Sequence, residues 1–289
     1  MSDIAMTHRV YDAATHVFDP LHAYWESETN RKIVTALLVA LFLSSLIAIE
    51  LNRQALLPDP FREIIGYSHF QAINAAFTLV LLLEVVSLIF VLPCSVSKSV
   101  GKQFEILALI LLRNSFKELV YLPEPIQIGT DLTPVLRILS DGFGALAIFV
   151  ILGFYYRQQK HRGELMSGET RYRFVAAKKL VALGLLVVFL GLGLYGGWDF
   201  LFETRTFAFF ATFYTVLIFS DILLVLVSHR FLPTFHAVLR NSGYAVSTLL
   251  LRLSLTAPPY YDAGIGVAAA LFALSLTWTY NNFYASGEG

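Results

Sequence analysis

The chain contains eight apolar stretches that fall into two matched sets of four, and the second stretch of each set carries a carboxylate at the same place. A bilayer core of about 30 Å is crossed by a helix of about 20 apolar residues, and helices satisfy their own backbone groups there. The eight stretches are residues 32–51, 68–92, 103–122, 133–156, 177–198, 207–229, 236–256 and 262–283. The sequence therefore predicts an all-α polytopic membrane protein with eight transmembrane helices.

The two sets match in order as well as in number. Single matches between apolar helices arise by chance, but four matches in the same order with three charges in register favour an internal repeat. We therefore predict two tandem parallel four-helix bundles, related by an axis along the membrane normal. The charged residues that align are Glu84 with Asp221, Arg113 with Arg252, and Asp141 with Asp262.

The predicted organisation has four parts. Residues 1–31 form an N-terminal cytoplasmic or interfacial segment, 32–157 the first bundle, 158–176 a basic cytoplasmic linker, and 177–289 the second bundle. In the N-terminal segment, aromatic residues and histidines alternate with acids. This pattern fits either a surface-lying amphipathic helix broken near Pro20 or a disordered tail.

Composition supports the membrane assignment and narrows the partners. The chain is 56% hydrophobic and 15% charged, with a mean hydropathy of +0.65, which is outside the range of most soluble proteins. Its 21 basic and 21 acidic residues cancel, so no nucleic acid partner is expected. The single cysteine, Cys94, excludes an intrachain disulfide and a multi-cysteine metal site. We expect no cofactor and no metal.

The orientation follows from loop charge. Basic residues concentrate on the cytoplasmic side of membrane proteins, and the segment between the halves is the most basic in the chain. An even number of spans then places both termini in the cytoplasm, and we predict an integral protein of a bacterial inner (plasma) membrane. The basic residues of this segment are Arg157, Lys160, Arg162, Arg171, Arg173, Lys178 and Lys179.

The third and seventh stretches carry charges that lipid would disfavour. Arg113 and Lys117 lie in the third, and Arg240 and Arg252 lie in the seventh. Each of these helices must therefore turn its charged face into the protein. If either were a re-entrant or surface helix, the number of spans would fall to seven or six.

The buried charges are the candidate functional residues. Arg113 is expected near the middle of its span, with Glu84 about 6 Å to the cytoplasmic side and Asp141 a similar distance to the outer side. Placing a charged side chain at the bilayer centre costs roughly 2.5–3.5 kcal/mol. A ladder of ion pairs among these three side chains would offset that cost. In the second half, Asp221 lies close to mid-span. Arg252 is expected nearer the outer face, where its side chain would extend to the interface.

Two functions fit these charges. The first is a channel or transporter that moves protons or small cations along buried acid–arginine pairs. The second is a non-conducting scaffold or accessory subunit that uses the charges to fix its helices and recruits a partner through its cytoplasmic face. The path residues of the first are Glu84, Arg113, Asp141, Asp221 and Arg252.

No motif of a known catalytic site is present, so we do not expect an enzyme. The expected partners are membrane lipid and either a second copy of the chain or another membrane subunit.

Overall fold

The computed structural model describes residues 2–56, 58, 65–93, 96–123, 131–159, 168–202, 209–231 and 234–284. Most of these residues are helical, and there is no strand among them. The α-helices are α1 (Ser2–Glu26), α2 (Glu28–Arg53), α3 (Phe70–Val91), α4 (Val96–Lys117), α5 (Thr133–Gln158), α6 (Gly168–Phe202), α7 (Phe209–Phe231), α8 (Phe235–Thr256) and α9 (Tyr261–Thr279). A 3₁₀ turn (Glu118–Tyr121) follows α4, and a π-helical turn (Tyr280–Tyr284) follows α9.

Six helices are long and apolar enough to cross a membrane: α2, α3, α5, α6, α7 and α9. This confirms the prediction of an all-α membrane protein. The other two predicted spans correspond to α4 and α8, which have 22 residues each but are more polar. Residues 160–167, in the predicted basic linker, lie outside the described residues, and α6 begins at Gly168, inside that predicted linker.

The polar helix α4 runs beside α5 over most of its length. Ser97, near the start of α4, contacts Tyr155, and Ser115, near its end, donates a hydrogen bond to the carbonyl of Ile138. These contacts are separated by about 27 Å along α4, at 1.5 Å per residue. The helix therefore runs alongside α5, and it also packs on α3 and α8, while Leu109, Leu112 and Phe116 on its other face are exposed. Half of its residues are buried.

The polar helix α8 lies along α9 in the same way. The Arg240 guanidinium lies 5.0 Å from the centre of the Tyr280 ring at one end, and Ser254 donates a hydrogen bond to the carbonyl of Asp262 at the other. Arg113 and Arg252 are thus accommodated on the buried faces of α4 and α8. Lys117, which was expected to face the protein, is exposed near the end of α4.

Successive helices pack on one another in the same order in the two halves. In the first half, α2 packs on α3, α3 on α4 and α4 on α5, and in the second, α6 packs on α7, α7 on α8 and α8 on α9. Between the halves, α4 packs on α8 and α5 on α9. The four central helices share one core, whose buried residues include Phe104, Leu107, Ile148, Leu251 and Ala269.

The central contact between α5 and α9 is very close. A Cβ atom added at Gly144 would lie 2.6 Å from the Cβ of Ala263, closer than real side chains approach. By contrast, a Cβ at Gly153, farther along α5, would meet nothing within 4 Å. Glycine at 144 therefore allows the two backbones to approach each other.

The helix α1 lies against the start of α6. We call this end of the molecule, where α5 ends and α6 begins, the linker side. Asp19 pairs with Lys179 at 2.6 Å, the Trp25 indole donates a hydrogen bond to Ser87 at 3.0 Å, and Phe18 packs against Phe90. The predicted break near Pro20 is wrong, because α1 is continuous through this residue.

Candidate functional site

The first acid–arginine pair joins α3 to α4. Arg113 Nη1 lies 3.7 Å from Glu84 Oε2 and donates a hydrogen bond of 3.4 Å to the carbonyl of Phe77. The two side chains are 9% and 13% exposed, so the pair is largely shielded from solvent. The predicted proximity of Glu84 and Arg113 is confirmed.

The second pair joins α7 to α8 and is buried more deeply. Arg252 Nε lies 3.7 Å from Asp221 Oδ2, and the Arg252 side chain is 0% exposed. Arg252 Nη2 also donates a hydrogen bond of 2.9 Å to Gln103 Oε1 on α4. The predicted extension of Arg252 to the interface is therefore wrong, because Asp221 and Gln103 hold its guanidinium inside the protein.

The two pairs occupy equivalent places in the two halves. Arg113 is four residues before the end of α4, and Arg252 is four residues before the end of α8. Arg113 is thus not at mid-span as predicted, because α4 starts and ends earlier than the predicted stretch. Two residues after each arginine, a serine (Ser115 or Ser254) donates a hydrogen bond to a backbone carbonyl of the following helix.

Asp141 is separate from the Glu84–Arg113 pair. The charged side chains close enough to act on it electrostatically are Asp262, Glu118 and Arg137. Arg137 in turn pairs with Glu118 at 3.4 Å. Of the predicted three-residue ladder, only Glu84 and Arg113 form an ion pair, because Asp141 faces α9 rather than Arg113.

Tyr214 is a residue of this region that the sequence analysis missed. It is 5% exposed and lies on α7, within electrostatic range of both Arg113 and Arg252. In the alignment of the halves it matches Phe77, whose carbonyl accepts the hydrogen bond from Arg113. Only its place in that alignment could have drawn attention to it.

A cavity of about 50 Å³ lies beside Asp221, on the linker side of the Asp221–Arg252 pair. Glu84 is not part of its wall. Asp221 Oδ2 and Asn241 Oδ1, both on the wall, are buried and accept no hydrogen bond from a described residue. The polar side chains of the wall are Ser99, Gln103, Lys178, Asp221, Ser228, Asn241, Tyr244 and Thr248.

Hydroxyl groups continue from this wall toward the linker side. The Tyr244 hydroxyl lies 3.4 Å from Ser97 Oγ and 2.8 Å from Thr277 Oγ1. Ser97 Oγ lies 3.1 Å from the Tyr155 hydroxyl and accepts a hydrogen bond of 3.0 Å from Gln159, at the end of α5. Buried polar groups are therefore connected from the cavity to the end of the helices.

The described residues contain no group of three histidine, cysteine or carboxylate side chains that could hold a metal ion. The chemical groups of the cavity wall are instead one carboxylate, a lysine, amides and hydroxyls, and the carboxylate is paired with the buried Arg252 behind the wall. Such groups exchange and orient protons, because hydroxyls and water both donate and accept hydrogen bonds.

Comparison of the chain with protein-family models, curated proteins and solved structures found no match. The function must therefore be argued from the helices, the two acid–arginine pairs and the cavity. Of these, the cavity distinguishes the two halves, because it reaches Asp221 and not Glu84.

Proposed function

We propose that the chain is a membrane transport protein that moves protons or small cations, and that Asp221 and Arg252 lie on the path. The observation that carries this proposal is the polar cavity that leads to Asp221. A cavity of about 50 Å³ can hold a few water molecules, since one water requires about 10–15 Å³ of such volume. Water beside a buried carboxylate gives an ion or proton access to it.

The two acid–arginine pairs have different roles in this proposal. Asp221 is on the cavity wall, whereas Glu84 and Arg113 lie away from the cavity. We assign transport to the second pair and helix positioning to the first. A buried pair fixes which helices adjoin even where its net contribution to stability is small.

The proposal includes eight crossings rather than six. The length of α4 and α8 and their contacts along α5 and α9 support it. The shared packing order and the equivalent pairs support a tandem repeat of the two halves. We propose that the linker side faces the cytoplasm, on the basis of the basic residues near Lys178 and Lys179.

A non-conducting scaffold is the second candidate. The observation that favours it is the shielding of Glu84 and Arg113, which matches charges used only to fix neighbouring helices. In this alternative, the docking of α1 on α6 presents a cytoplasmic surface to a partner.

A flux measurement separates the two. We expect liposomes containing the purified chain to show monovalent cation or proton flux above that of empty liposomes. Asp221→Asn should reduce the flux to the empty-liposome level, because the amide cannot take up a proton or a cation's charge. Glu28→Gln, which removes an exposed carboxylate on α2, should behave as the wild type. If the wild type shows no flux above empty liposomes, the scaffold is the correct function.

A further inference from the structure

We infer that the species carried to Asp221 is the proton, and that it enters along the hydroxyl groups of Tyr155, Ser97 and Tyr244. This inference rests on the proposed transport function and names its substrate. Three features of the site carry it: the charges around Asp221, the size of the cavity, and the order of the hydroxyls.

The charges around Asp221 disfavour a metal cation. Arg252 Nε already lies 3.7 Å from Asp221 Oδ2, and Lys178 is on the same cavity wall. A Na⁺ or K⁺ ion at the carboxylate would lie beside one or both of these positive groups and be repelled by them. The same positive groups also oppose protonation of the carboxylate, but a proton binds covalently to one of its oxygens and needs no other ligand. Arg252 then keeps its hydrogen bond to Gln103.

The size of the cavity leads to the same conclusion. A volume of about 50 Å³ accommodates about three water molecules, which is enough for a short chain of hydrogen bonds. It does not accommodate a metal ion together with a full shell of water.

The hydroxyl groups form a connected series between the linker side and the cavity. Gln159, partly buried at the end of α5, contacts Ser97, which contacts Tyr155 and Tyr244. Tyr155 and Tyr244 are 1% and 2% exposed, so lipid and bulk solvent do not interrupt the series. Tyr244 is also on the cavity wall.

The first proton comes from water at Ser97, which is partly exposed at the linker side, and Gln159 only orients the Ser97 hydroxyl. Each hydroxyl oxygen then takes a proton from the preceding group and releases its own to the next, since a hydroxyl is both donor and acceptor. The last transfer passes through cavity water to Asp221, whose carboxylate becomes a carboxylic acid. The hydroxyls then rotate back to their starting orientation. A metal ion cannot move by this exchange, so the series is specific for protons.

The experiment measures proton and metal ion flux on the same liposomes. A pH dye inside the liposomes reports proton uptake under an applied membrane potential, and radioactive sodium or rubidium reports metal ion uptake. We expect proton uptake by the wild type and no uptake of either metal above empty liposomes. Tyr155→Phe and Tyr244→Phe should each reduce proton uptake by about a hundredfold, the low end of what a positioned proton-transfer group contributes.

Tyr156→Phe is the matched control. Its hydroxyl bonds the partly exposed Glu105 and not the series, so proton uptake should stay at the wild-type level. Sodium or rubidium uptake without proton uptake would overturn this inference and leave the proposed transport function standing. Unchanged proton uptake in both Tyr155→Phe and Tyr244→Phe would refute the hydroxyl route. No uptake of any ion would refute the proposed function itself.

Discussion

Replacing Arg252 with alanine is expected to lower the free energy of unfolding by about 3–5 kcal/mol, the usual cost of removing one partner of a buried ion pair. The side chain is fully buried, and its loss leaves the Asp221 carboxylate without its partner and Gln103 Oε1 without its donor. Unfolding by a denaturing detergent, with the chain in mild micelles, measures the change. Arg157→Ala, at an exposed position in the last turn of α5, is the control and should change stability little.

The double variant Asp221→Asn with Arg252→Gln should be milder than Arg252→Ala, because it leaves no uncompensated charge in the interior. Groups in direct contact are not additive, so the two single changes should sum to more than the double change. Additive effects, or an Arg252→Ala variant as stable as Arg157→Ala, would contradict the buried pair.

The second large effect concerns the contact between the halves. Gly144→Ala should lower the free energy of unfolding by about 1–3 kcal/mol, the usual cost of overpacking a close contact. The added Cβ would lie 2.6 Å from the Cβ of Ala263, so α5 and α9 would have to move apart. The same unfolding measurement applies.

Gly153→Ala, nine residues along the same helix, is the matched control. Nothing lies within 4 Å of its Cβ, and alanine favours a helix over glycine by about 1 kcal/mol. Its stability should therefore equal or exceed that of the wild type. If Gly144→Ala were as stable as Gly153→Ala, the close packing of α5 on α9 would be incorrect.

The parts of the fold that could be predicted follow from length and charge. Apolar stretches long enough to cross a bilayer fix the helices, and the cost of isolated charges in lipid requires that Glu84 find a basic partner. This requirement is why the pair of Glu84 and Arg113 could be predicted from the sequence. The alignment of the halves also placed Asp221 and Arg252 in the equivalent positions.

The remaining features depend on how the helices turn toward one another. Arg252 lies near a helix end, where a side chain can equally extend to the interface or point inward, and only its contact with Gln103 on another helix decides. Asp141 is within reach of Arg113 by depth alone, but the rotation of α5 turns it to α9. Such rotations are set by packing, which the spacing of apolar residues does not specify.

The cavity was the least predictable feature. Its polar wall combines side chains from four helices, including Gln103 on α4, Lys178 on α6, Asp221 on α7 and Asn241 on α8. Apart from Asp221, which the sequence already marked as a candidate, each of these residues alone is an ordinary polar residue of a helix. Their convergence exists only in the packed structure.

The most direct test of a water-accessible path to Asp221 is the reactivity of cysteines on two faces of α7. Leu224 is on the cavity wall one turn from Asp221, whereas Leu226 is 59% exposed on the outer surface of the helix bundle. In a Cys94→Ser background, Leu224→Cys should react with a small, uncharged methanethiosulfonate, because water in the cavity lets its thiol ionise and the thiolate is the reactive form. Leu226→Cys should not react, because the lipid around it keeps its thiol protonated. Leu224→Cys that reacts no faster than Leu226→Cys would contradict the path.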